Sequence, residues 1–107
     1  MIKIITGDSA VFNFAIIYPG AVDGVPTPDL SQDTVVFALK NKKVKGKEIE
    51  KSISGPQSNI VTFTLTPQET EKLPMGVYEA CCKIYYGENA TTVWLQDVMV
   101  IKGVLDA

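Results

Sequence analysis

The fold is decided by residues 61–80, which read VTFTLTPQETEKLPMGVYEA. The first six residues alternate apolar and polar side chains, which is the pattern of a strand with one buried face. Thr66 and Pro67 are residue types that begin a helix, and Glu69 has the spacing that completes a capping box. Pro74 ends this helical turn, and a second alternating segment follows. The stretch therefore predicts a strand, one helical turn and a second strand. This is the arrangement by which the chain of a β-sandwich crosses from one sheet to the other.

The same alternation recurs along the rest of the chain, between turns rich in glycine and proline. Strands are predicted at Met1–Thr6, Ala10–Ile17, Thr34–Lys40, Glu48–Ser54, Ile60–Leu65, Val77–Tyr86 and Thr91–Lys102. About seven short strands with almost no helix indicate an all-β, antiparallel sandwich. The length of 107 residues suits one domain, so we predict a single sandwich over residues 1–107.

The last predicted strand leaves its own register open. Val93 and Leu95 favour one face, whereas Trp94 and Val98 favour the other. A bulge near residues 96–97 would reconcile the two patterns. Burial of both faces against a partner would do so as well.

The motif GVYEA, which contains Gly76, Tyr78 and Ala80, resembles the Gly-x-Tyr-x-Cys of immunoglobulin domains. The resemblance implies an immunoglobulin-like sandwich whose corner is formed by these three residues. In such domains the tyrosine hydroxyl bonds back to upstream backbone, so we expect an acceptor for Tyr78 within residues 67–72. Ala80 replaces the cysteine, and Trp94 follows the corner instead of preceding it, so the chain departs from antibody-type domains.

The ionisable side chains exclude several kinds of site. The sequence has no histidine and no arginine, and all ten basic residues are lysines. Without imidazole, Ser-His-Asp and Cys-His catalysis and histidine-ligated zinc are excluded. A net charge of -2 without guanidinium groups gives no attraction to nucleic acid. We therefore predict a protein that is not an enzyme, with no catalytic residue, no cofactor, no metal, and neither nucleic acid nor a membrane as partner.

Two adjacent cysteines, Cys81 and Cys82, lie in a predicted strand. Neighbouring strand residues point to opposite faces, so the pair is poorly placed to form a disulfide. One interpretation is a redox or metal feature. The other is a small buried side chain at Cys82 and an outward thiol at Cys81.

Two further clusters also have two interpretations. The lysines of residues 40–47 are either a patch that binds nucleic acid or an anionic surface, or a solvated turn that blunts a sheet edge. Asp23, Asp29 and Asp33 either hold a calcium ion or belong to a turn that leads into a strand.

Seven short motifs, taken in order and spacing, carry a resemblance over nearly the whole chain. They are GDS at 7–9, DGVP at 23–26, DLS at 29–31, VVFALK at 35–40, VTFTLT at 61–66, QET at 68–70 and LPMGVYEA at 73–80. In these the chain resembles a family of tailed-phage structural domains, namely the immunoglobulin-like N-terminal domain of baseplate upper proteins and related prophage tail modules. The resemblance implies a virion, tail or baseplate component that works by assembly with other tail proteins or with itself.

Apolar residues on both faces of the predicted strands are compatible with such contacts, and Trp94, Tyr85 and Val98 are the candidate interaction surface. The N-terminus lacks the build of a signal peptide, so we expect assembly in a cytoplasm and, for an active phage, a place in the virion. An alternative is a bacterial sandwich module that binds carbohydrate or a surface partner, with Tyr18 beside Tyr85 and Trp94 as its aromatic platform. A small hydrolase is disfavoured by the missing histidine.

Overall fold

The structure is a computed structural model that describes residues 2–16, 33–43, 48–56 and 58–103. Within these residues it contains strands and one short helix, in the order β1 (Ile2–Ile5), β2 (Ala10–Ala15), β3 (Thr34–Asn41), β4 (Glu48–Ser54), β5 (Ile60–Leu65), α1 (Pro67–Glu71), β6 (Gly76–Tyr86) and β7 (Asn89–Ile101). These elements follow the predicted strands and helical turn closely. In this described part, no helix has the length and hydropathy that crossing a bilayer requires.

The strands form two sheets, which confirms the predicted all-β sandwich. Sheet A has the order β1-β7-β6-β3-β4, and sheet B consists of β2 and β5. The pairing of the second strand with the fifth, opposite a sheet that contains the third, sixth and seventh, is immunoglobulin-like. One pair departs from the predicted antiparallel arrangement, because β1 runs parallel to β7.

Aromatic side chains join the two sheets at the centre of the core. Phe37 of β3 is fully buried, with its ring centroid 4.7 Å from that of Phe12 in β2 and 5.7 Å from that of Phe63 in β5. Leu39 and Ile84 of sheet A are also fully buried in the same cluster. The sheets are therefore held by alternate apolar residues of facing strands, as the period-two pattern requires.

Helix α1 begins with the predicted capping box. The hydroxyl of Thr66 accepts a hydrogen bond from the N–H of Glu69 at 3.2 Å, and the Glu69 carboxylate accepts one from the N–H of Thr66 at 2.9 Å. Thr70 is buried, and its hydroxyl accepts from the N–H of Gly7 and donates to the carbonyl of Asp8. The helix is thereby fastened to the turn between β1 and β2.

The corner lies where α1 leads into β6. Gly76 has a φ of +141°, a conformation that residues with a Cβ rarely adopt. The hydroxyl of Tyr78 donates to the carbonyl of Pro74 at 2.7 Å. The prediction of an acceptor within residues 67–72 is therefore wrong, because the hydroxyl meets the backbone nearer to Tyr78, in the loop that links α1 to β6. Ala80 is fully buried, so no disulfide is needed to close the packing at this corner.

Strand β7 contains a bulge at Val93. The register shifts between Cys82 and Lys83 of β6, whose partners are Trp94 and Thr92, so Val93 is left opposite no residue. A bulge of this kind reverses which residues of a strand face the core.

Of the two alternatives left open for the last strand, the structure has a bulge, which lies at Val93 and not near residues 96–97. Beyond Val93, Trp94 and Val98 face the core, whereas Leu95 and Asp97 face outward. The irregularity lies earlier because it must precede Trp94, which packs against the aromatic side chains of β2.

Candidate interaction surface

An apolar cleft runs along β2, between the edge of sheet B and the overhanging strands of sheet A. Its larger part has a volume of about 620 Å³ and is lined by Ile2, Val11, Phe12, Asn13, Phe14, Ala15, Ile16, Val93 and Trp94. A smaller hollow of about 200 Å³ continues it toward the β1–β2 turn and shares Ile2, Val11 and Phe12. The lining of the larger part includes no charged residue, and Val11 is 56% exposed.

Within the described residues, β2 pairs only with β5, so its backbone edge on the side of the cleft has no strand partner there. Bonds in an antiparallel pair join residues directly opposite each other, and only every second pair is bonded. The N–H of Ile16 donates to the carbonyl of Asn59 at 2.8 Å, so the even-numbered residues of β2 are those bonded to β5. This leaves three residues whose N–H and C=O groups point away from β5: Val11, Asn13 and Ala15.

The other unpaired strand edges in the described ranges have charged side chains on or near them, a feature that discourages pairing with foreign strands. Lys3 lies in β1 and Glu50 in β4. The outer edge of β5 is occupied by Lys51, which reaches across from β4 and donates to the carbonyl of Thr64 at 2.8 Å. Strand β2 (sequence AVFNFA) has no charged residue of its own, and among the described residues Lys3 and Asp8 line only the smaller hollow at its N-terminal end.

The outer face of sheet A has a different character. Leu95 is 55% exposed and lies opposite Cys81, which makes a short apolar row. The next row is charged, with Asp97 opposite Glu79 and in an ion pair of 2.8 Å with Lys42. The hydrogen bond to Asp97 raises the pKa of Lys42 above its ordinary value. Apolar and charged rows thus alternate here, whereas the cleft is uncharged along its larger part.

The residues proposed from sequence as an interaction surface do not lie together. Trp94 is half-buried on the inner face of sheet A, with its ring centroid 5.2 Å from that of Phe14. Tyr85 is 45% exposed on the outer face. Val98 is fully buried, so its placement on an interaction surface is wrong. An aromatic platform built from Tyr85 and Trp94 is not assembled, and Tyr18 lies outside the described residues.

The two thiols differ in burial, as expected from the interpretation of Cys82 as a buried side chain and Cys81 as an outward thiol. Cys82 is fully buried and Cys81 is half-exposed, and both are free. Burial raises the pKa of the Cys82 thiol to about 11, and the neighbouring Cys81 adds to the effect. A thiol with so high a pKa is protonated near neutral pH and is a poor nucleophile or metal ligand.

The lysine and aspartate clusters are only partly described. Lys40 and Lys43 are exposed, Lys42 is paired with Asp97, and residues 44–47 lie outside the described ranges. Among the aspartates considered for calcium, Asp33 is buried and its Oδ2 has no hydrogen-bond partner in the described part of the chain, while Asp23 and Asp29 lie outside it. No group of three or more carboxylate or thiol side chains suited to a metal ion occurs among the residues described.

Sequence reasoning named Trp94 of the cleft lining as an interaction residue but missed the contributions of β1 and the bulge of β7. Ile2 lies in β1 and Val93 in β7, and the pairing of these two strands brings both residues to the cleft beside β2. One signal was present in the sequence, because Ala10–Ala15 is a predicted strand without a single charged residue. The corner residues Gly76, Tyr78 and Ala80 serve the core and take no part in this surface.

No protein-family model matches the chain, and no curated protein and no solved structure matches it either.

Proposed function

We propose that this chain is a structural module without catalytic activity, which acts through contacts with other proteins in a phage or prophage tail or baseplate. The observation that carries the proposal is the apolar cleft along β2, whose larger part is uncharged and exposes Val11 and Val93 beside Trp94. A large apolar hollow at an unprotected sheet edge suits a protein partner better than solvent. The absence of histidine from the sequence supports a role without acid–base chemistry.

The phage origin rests on the sequence motifs that resemble baseplate and prophage tail domains. Under this proposal the partners are other tail or baseplate proteins or further copies of the chain, which meet it in the cytoplasm during assembly and remain with it in the virion. The free cysteines and the corner closed by Tyr78 instead of a disulfide suit folding in a reducing compartment.

Co-expression with the products of the neighbouring genes tests the proposal. We expect native mass spectrometry and light scattering to show a complex with a tail protein or a homo-oligomer. Val93→Lys places a charge in the cleft and weakens that complex, whereas Thr92→Lys, one residue away on the exposed outer face, leaves it intact. A chain that stays monomeric at all concentrations and binds none of these tail proteins would refute the proposal.

A further inference from the structure

We infer that the β2 edge accepts a single extended strand donated by another polypeptide, whose side chains are apolar at alternate positions. The inference rests on the proposed function and names the partner's chemistry. Val11, Asn13 and Ala15 offer backbone donors and acceptors at the two-residue repeat of a strand. Only another extended backbone matches that repeat along all of β2, which is about 20 Å long at the usual rise per residue.

The cleft determines which side chains the donated strand carries. Its floor consists of Ile2 from β1 and Val93 with Trp94 from β7, so residues of the donor that point inward meet apolar surface. Alternate residues point to opposite faces of a strand, and the donor therefore needs an apolar residue at every second position. The lining of the larger part has no charged side chain, so a charged residue of the donor that pointed inward there would lose its hydration without a partner.

The edge strand of a second copy of the sandwich fits this place less well. Lys51 of β4 contacts the outer edge of β5, so β7 and β1 are the strands of sheet A that extend beyond β2. A second copy that paired through its own β2 would bring its own sheet A into the layer these strands already occupy. A donated single strand brings no second sheet and can lie directly over β7 and β1.

A synthetic peptide provides the test. The probe has about seven alternating valine and threonine residues, the length of a typical strand, between terminal lysine pairs. A second peptide contains the same residues in an order that does not alternate. Trp94 is the sole tryptophan of the chain and lines the cleft, so its fluorescence reports binding. We expect the alternating peptide alone to shift this emission and to slow amide exchange at Val11, Asn13 and Ala15.

Proline substitutions assign the binding to one edge. Val11→Pro removes an N–H that points into the cleft and leaves the bonds to β5 in place, because proline is tolerated where the N–H faces outward. We expect it to weaken peptide binding by at least about tenfold. Thr64→Pro removes an outward N–H at the outer edge of β5, keeps the carbonyl that accepts from Lys51, and is expected to leave affinity within about twofold of the parent. Ala15→Pro repeats the test should Val11→Pro fail to fold, as judged by thermal melting.

Two results overturn the inference. One is that the alternating peptide neither shifts Trp94 emission nor protects the three amides of the parent chain. The other is that Val11→Pro and Ala15→Pro fold and bind the peptide as tightly as the parent does. The co-expression experiment separates this inference from the proposed function. If the chain joins a tail protein but binds no alternating peptide, the proposed function stands and the strand-acceptor inference is refuted. If it binds the alternating peptide but joins no tail protein and forms no homo-oligomer, the inference stands and the proposed function is refuted.

Discussion

The hydroxyl oxygen of Tyr78 lies 2.7 Å from the carbonyl oxygen of Pro74, to which it donates a hydrogen bond. Pro74 lies just before β6, which begins at Gly76, and Tyr78 lies within β6, two residues after Gly76. The bond therefore fixes the loop between α1 and β6 against the strand that receives it. Since the Tyr78 ring is fully buried, its hydroxyl would have few other partners if this one were lost.

Tyr78→Phe is expected to lower the free energy of unfolding by about 1 kcal/mol, because the partly buried hydrogen bond to Pro74 is lost while the packing of the ring is kept. Urea denaturation followed by circular dichroism measures this change. Tyr85→Phe is the matched control, since Tyr85 is exposed on the same strand, and it should alter stability by less than about 0.5 kcal/mol. Equal stability of Tyr78→Phe and the parent would contradict a structural role for the bond.

Local pattern predicted the elements and the helix cap well, because their causes lie within a few residues. The Thr66–Glu69 capping box needs only spacing, and the alternation in β5 needs only its own side chains. The parallel pairing of β1 with β7 could not be predicted in this way, since it joins the two ends of the described chain. The cleft depends on that pairing, so its position could not be predicted from local sequence pattern either.

The bulge at Val93 shows a second limit of prediction from sequence. Valine, tryptophan and leucine succeed one another at residues 93–95, and each is apolar enough to face a core. Trp94 is the residue that faces the core, because its ring packs against the rings of Phe12 and Phe14 in β2. Because this contact is between sheets, hydropathy along β7 alone could not fix the register of the strand and left Val98 among the surface candidates.

Titration of the Glu69 carboxyl is expected to contribute to the pH dependence of the free energy of unfolding. The hydrogen bond from Lys51 and a further one from the N–H of Thr66 lower the pKa of this carboxyl below its ordinary 4.5. A lowered folded-state pKa means that the stabilisation is present above the unfolded pKa and is lost as the pH falls through the folded one. The effect is modest, because the ion pair with Lys51 is partly exposed to solvent.

Glu69→Gln tests this dependence. Unfolding free energies of the parent and the variant are compared from neutral pH to below 4.5. We expect the parent to be the more stable at neutral pH and the difference to shrink as the pH falls below the unfolded value. Glu79→Gln is the control for removing an exposed carboxylate. A difference between parent and Glu69→Gln that does not change with pH would show that the carboxylate charge is irrelevant to the cap.

The two cysteines are expected to react at very different rates. Burial raises the pKa of Cys82 to about 11, so near neutral pH its thiol is protonated as well as inaccessible. Iodoacetamide should therefore modify Cys81 in the folded chain and leave Cys82 unmodified, as measured by mass spectrometry. Cys81→Ser should take up the label only after denaturant is added. Labelling of folded Cys81→Ser as fast as the parent would contradict the buried position of Cys82.

The register of β7 predicts opposite responses at two of its apolar residues. Val98→Lys places an ammonium group in the core, and we expect it to destabilise the chain by more than about 3 kcal/mol or to prevent folding. Leu95→Lys changes a side chain that is 55% exposed and should shift stability by less than about 0.5 kcal/mol. Denaturation midpoints of the two variants measure the contrast. If Leu95→Lys were the destabilised one, the bulge would lie after Leu95, near residues 96–97, and the cleft would lose Trp94 from its floor.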